Sequence, residues 1–137
     1  MTAMSGWDEA GRGAAGQRLL HELVERLGRL LEADEPSHLE LTAMGLDGAD
    51  YTLLRETLGE GEIMAEVSNG GPVSVMESGY AGIWWVSHLD EEGQVMSEFL
   101  EVSYCPEVLI AEMDVVADGL NALKARLFEM EMARKRV

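Results

Sequence analysis

The sequence predicts an α+β domain: a four-stranded antiparallel meander sheet packed with an N-terminal helix, a short helix before the sheet and a long C-terminal helix. Three observations predict it. Apolar residues recur at helical spacing over residues 17–33, at a period of two between residues 62 and 102, and as a heptad seam from Leu109 to Met130. The connections within the period-two region are too short for the crossovers that parallel strands require, so the strands must run antiparallel.

Residues 1–16 are interrupted by Gly6, Gly11, Gly13 and Gly16. They are expected to form a flexible arm with Trp7 as an isolated apolar point, leaving residues 17–137 as one domain. Leu19, Leu20, Leu23, Val24, Leu27, Leu30 and Leu31 then make one continuous apolar helix face, which Pro36 stops. A short extended piece follows at residues 38–41. Asp47 is placed to cap a helix over residues 49–58, with Asp50 in its first turn and Gly59 at its end.

Ile63, Ala65 and Val67 alternate with polar or exposed positions, as in a half-buried strand. Asn69-Gly70-Gly71 signals a hairpin into a strand over residues 73–77. Residues 78–82 lead to a third strand, 83–89, and Asp90-Glu91-Glu92-Gly93 to a fourth, 94–102. Pro106 suits the first turn of a final helix, which ends in Arg134-Lys135-Arg136.

Composition excludes several function classes. In 137 residues, 26 Asp+Glu face 10 Lys+Arg, a formal net charge of −16. Such a surface repels phosphate backbones and anionic lipid, so neither nucleic acid nor a membrane is the expected partner. Cys105 is the single cysteine and His21, His38 and His88 are scattered, so no metal and no cofactor is expected. The N-terminus has neither a basic start nor an apolar h-region, which makes the cytoplasm the expected location.

No enzyme motif stands out. Gly59-Glu60-Gly61 and residues 79–82 are glycine-rich, but no Lys-Ser/Thr follows either, so neither reads as a phosphate loop. Ser78 and Ser87 read as ordinary hydroxyls, one in a turn and one on a strand. Glu60, Glu62, Glu77, Glu98 and Glu101 could together do acid–base work or bind a hard cation, or could be a solvated face. Cys105 reads as a small buried residue.

Trp84-Trp85 is more informative. Neighbouring strand residues point to opposite faces, so one ring can enter the core while the other meets a partner. The seam of the last helix poses a similar choice between docking on the sheet and pairing with a partner helix.

Three strings then occur in order: Leu58-Gly59-Glu60-Gly61-Glu62-Ile63, Glu77 followed by Gly82-Ile83-Trp84-Trp85-Val86, and Leu100-Glu101-Val102 with Pro106 beyond. In these the chain resembles the conserved region of the HupH/HyaF hydrogenase expression proteins, as a single short copy with Ser78 after Glu77. The resemblance implies a non-catalytic maturation factor for uptake NiFe hydrogenases. Its implied client is the iron–sulfur small-subunit precursor before twin-arginine export, with other hydrogenase accessory proteins as further partners. Trp84, Trp85, Glu60, Glu62, Glu77 and Glu101 are then the expected partner-binding residues, with Trp85 the outward ring of the pair. The alternatives are a small acidic metal-binding protein or enzyme using carboxylates at the sheet edge, and a structural subunit or homodimer associating through the C-terminal helix.

Overall fold

The structure is a computed structural model and describes residues 11–68 and 71–136. The expected N-terminal arm with Trp7, up to residue 10, and the Asn69-Gly70 turn lie outside the described residues. Helix α1 (Ala14–Ala33) begins three residues earlier than its apolar spacing predicts. Gly13 enters it with φ 75°, and the Gly16 N–H donates to the Asp50 carboxylate at 2.9 Å. That bond joins residues 34 apart in sequence, so nothing local announces it. At its far end Asp34 adopts φ 55° and its N–H returns to the Leu30 carbonyl at 3.1 Å. This left-handed residue closes the helix just ahead of Pro36.

The next piece, β1 (Ser37–Glu40), is a full member of the sheet, which therefore has five strands and not four. Helix α2 (Gly48–Leu58) opens on a capping box. The Asp47 side chain accepts from the Asp50 N–H at 2.9 Å and the Asp50 side chain from the Asp47 N–H at 3.0 Å. Strands β2 (Met64–Ser68), β3 (Pro72–Glu77), β4 (Ile83–Leu89) and β5 (Val95–Val102) form the expected meander. The sheet order is β1-β5-β4-β3-β2, antiparallel throughout. Four residues are too few to establish a period of two, and β1 finds its partner only across the whole meander.

Helices α1 and α2 cover one face of this sheet. Leu23, Leu30, Leu54 and Leu58 pack there against Ile83, Trp85 and Leu100. Burying such side chains is worth roughly 1.5–3 kcal/mol each. The opposite face carries Val73, Val75, Trp84 and Val86, all of them buried.

The chain divides into two compact units, Met1–Glu107 and Val108–Val137. The last helix, α3 (Met113–Lys135), starts later than the Pro106 position suggested. A 3-10 turn, Glu107–Leu109, comes first, because the Glu107 N–H is held by the Glu101 carboxylate at 2.9 Å. Within this second unit the seam residues Met113 to Met130 all lie on the one helix. Val115, Phe128 and Met132 add apolar surface off the seam, so the helix lacks the single polar face of an ordinary covering helix. Among the described residues no helix is long and apolar enough to cross a membrane.

Candidate functional site

The three sequence strings meet at one corner of the sheet. Strand register places Glu77 opposite Trp84 and Trp84 opposite Glu101, so these three side chains share a face. His38 of β1 continues the row beyond Glu101. The segment carrying Glu60 and Glu62 is laced to the end of β3. Gly61 N–H donates to the Glu77 carbonyl at 2.7 Å, Glu77 N–H to the Ile63 carbonyl at 2.9 Å, and Gly79 N–H to the Leu58 carbonyl at 2.7 Å.

This lacing explains the middle glycine of the Gly-Glu-Gly string. A Cβ on Gly61 would lie 2.6 Å from both the Ser78 carbonyl oxygen and a Glu77 carboxylate oxygen. The residue is small because backbone crosses there, not because a phosphate must approach. Gly61→Ala is therefore expected to lower stability by about 1–3 kcal/mol through overpacking. Denaturant unfolding measures this, and an unchanged midpoint would show that the two segments are not so close.

Glu101 holds the next loop. Its carboxylate accepts from Ser103 Oγ at 2.8 Å and from the Glu107 N–H at 2.9 Å. The Ser103 carbonyl in turn accepts from Trp84 Nε1 at 3.0 Å. Ser78, also buried, exchanges two hydrogen bonds with the Tyr80 backbone and shapes the turn.

Neither tryptophan is outward. Trp84 is 5% exposed and Trp85 4%, and Trp85, the ring expected outside, is the one under the helices. Parity alone separates the two faces but does not say which of them the helices occupy. The exposed members of the corner are instead Glu60 and Glu62, beside the exposed apolar side chains of Ile63, Met64 and Tyr80. Cys105 is exposed as well, against the buried position expected of it.

A second cluster lies on the helix-covered face, unsignalled by any motif. Arg55 lies 5.4 Å from the Trp85 ring centroid and 3.4 Å from the Glu98 carboxylate, which also accepts from Ser87 Oγ at 3.3 Å. Glu98 is nearly buried, and its partners come from α2 and β4. Burial, and then the charge of Glu98, raise the Tyr51 hydroxyl above its ordinary pKa. The i,i+4 step from Tyr51 to Arg55 on α2 was the only hint in the sequence. At the other end of β4 an open cavity of about 380 Å³ is lined by Pro72, His88, Met96 and Phe99. Among the described residues no three His, Cys, Asp or Glu side chains gather as a metal site.

Residues 14–130 match the family described as HupH hydrogenase expression protein, C-terminal conserved region. The chain belongs to this family. It is 34% identical to a hydrogenase expression/formation protein HoxQ of Azotobacter vinelandii, over 89% of this chain and 47% of that protein. It is 37% identical to a hydrogenase expression/formation protein HupQ of Azotobacter chroococcum mcd 1, over 64% of this chain and 31% of that one. The chain thus spans half or less of these HupH-family relatives. The solved structure of hydrogenase expression protein HupH from Thiobacillus denitrificans ATCC 25259 superimposes with a TM-score of 0.78 at 33% identity. That likeness covers 84% of this chain and 96% of the other. The motif corner, from Leu58 to Pro106, lies wholly inside the HupH match.

Proposed function

We propose that this HupH-family chain is a non-catalytic maturation factor for uptake NiFe hydrogenases. In this reading it works in the cytoplasm and binds the iron–sulfur small-subunit precursor before twin-arginine export. The single observation that carries the reading is the family match over residues 14–130, in relatives named for hydrogenase expression and formation. The chemistry of the corner supports a binding role. The Glu101 carboxylate is engaged with the backbone of the next loop, Glu77 ties the crossing through its own backbone, and both tryptophans are buried, so these four position the surface. Glu60 and Glu62 are the carboxylates exposed to a client, next to apolar Ile63 and Met64. Acid beside apolar surface suits a client segment that is basic and partly hydrophobic, as an export signal is.

With a net charge of −16, long-range attraction should act mainly on the association rate. Binding of the purified chain to a small-subunit precursor is expected to slow as salt rises from low to physiological strength. Glu60→Lys with Glu62→Lys should weaken it by roughly tenfold or more and flatten the salt dependence, while leaving the thermal melt unchanged. An association rate indifferent to salt and to both substitutions, or capture of the large subunit alone, would overturn the reading.

A further inference from the structure

We infer that the outer edge of β2 is a docking strand, which accepts an extended client segment of alternating basic and apolar residues as a further strand of the sheet. The inference deepens the client-binding role proposed above and rests on it for the identity of the partner.

The sheet has two edges, β1 and β2, and among the described residues β2 is paired with β3 alone. Successive residues of a strand turn their backbone N–H and C=O groups to alternate sides. The Glu77 N–H donates to the Ile63 carbonyl at 2.9 Å, and the register sets Ala65 opposite Val75 and Val67 opposite Val73. Residues 63, 65 and 67 thus turn their backbone towards β3, and Met64 and Glu66 turn theirs outward along the edge.

The β1 edge is closed by contrast. The Ser103 N–H donates to the Gly82 carbonyl, so Leu100 and Val102 face Leu39 and Ser37, and His38 faces outward. Its carbonyl accepts from the Arg26 guanidinium of α1 at 3.3 Å, on a strand of four residues that follows Pro36. Natural sheets guard their edges by such means, with short strands, proline, lysine or a covering element, because an open edge recruits strands. From Gly59 to Ser68 there is neither a proline nor a basic residue.

Charge and alternation select the occupant. Glu60, Glu62 and Glu66 lie along this stretch, so a second copy of β2 would add its own acids to the seam, whereas a basic segment neutralises them. A residue opposite Glu66 shares its face, and a lysine or arginine there pairs with the carboxylate. A residue opposite Ala65 or Val67 falls on the other face, in line with buried Val75 and Val73, where an apolar side chain extends apolar surface already present. Backbone bonds then supply affinity and the alternating side chains specificity.

A short synthetic peptide of alternating lysine and valine serves as the probe, with its glutamate–valine counterpart beside it. Only the lysine peptide should bind the full chain. Its binding should slow hydrogen exchange at the Met64 and Glu66 amides by roughly tenfold or more, and leave Ala65 and Val67, already turned to β3, unchanged. Met64→Pro removes an outward N–H that β3 does not use, so the hairpin is kept. It should bind the peptide roughly tenfold or more weakly than Met64→Ala, which loses the same side chain but keeps the N–H. Should the proline variant unfold, exchange on the wild-type chain decides the question. No binding of the lysine peptide, binding without protection at Met64 and Glu66, or equal binding by the two Met64 variants would overturn the inference. The small-subunit precursor separates the edge from the client reading. A precursor that does not bind, where the peptide docks on β2, removes the client and keeps the edge; a bound precursor that leaves both amides exchanging keeps the client and overturns the edge.

Discussion

Replacing Trp85 with alanine is expected to lower the unfolding free energy by about 3–5 kcal/mol, a large share of the roughly 5–15 kcal/mol typical of a domain. The ring is 4% exposed and sits among leucines from α1, α2 and β5, so its loss leaves a cavity that three elements would have to close. The Arg55 guanidinium, 5.4 Å from the ring centroid, would lose its aromatic surface as well. Trp84→Phe should cost about 1–3 kcal/mol, since the replacement keeps an aromatic ring but leaves the carbonyl of buried Ser103 without its indole partner. Urea unfolding of the two variants gives the comparison. A Trp85→Ala protein within 1 kcal/mol of wild type would mean that the helices do not close over this face.

Asp50 is the second position where a large effect is expected. Its carboxylate is buried and accepts from two backbone N–H groups, one at the Asp47 cap and one at Gly16 in the first turn of α1. Hydrogen bonds to a charged group are worth about 1.5–3 kcal/mol each, and alanine would leave the Gly16 N–H buried without a partner. Asp50→Ala should therefore destabilise by about 2–4 kcal/mol.

The same bonds make the contribution pH-dependent. The Asp47 N–H first, and the Gly16 N–H next, hold the Asp50 carboxyl below its ordinary 3.8, against the opposing effect of burial. A carboxyl with a lowered pKa in the folded state stabilises fully above the unfolded value, and the contribution disappears as pH falls through the folded one. The stability gap between wild type and Asp50→Asn should accordingly be constant near neutrality and shrink below pH 3.8. A gap that stays constant down to pH 2 would show that this carboxylate is not the tie between the two helices.

The elements and their antiparallel order were legible in the sequence because both signals are local. A helical period over residues 17–33, a period of two from Ile63 to Val102 and connections of a few residues leave little choice of architecture. The family was legible too, since three strings in order are a property of the chain alone. The partners that residues find across long separations were not. Tertiary pairing made β1 a fifth strand, tied Gly16 to Asp50, and gave the Glu101 carboxylate to the backbone of a loop.

The alternation of Trp84 and Trp85 guaranteed opposite faces, but only the placement of α1 and α2 decided that Trp85 lies beneath them. The same holds at the candidate site. Its acids could be named from the sequence, whereas which of them meet solvent depended on where the backbone crosses at Gly61. For α3 the seam is written in the sequence, whereas its start at Met113 follows from a 3-10 turn that depends on the Glu101 carboxylate reaching the Glu107 N–H. Local periodicity specifies which surface an element must bury, and only the assembled structure settles what that surface is buried against.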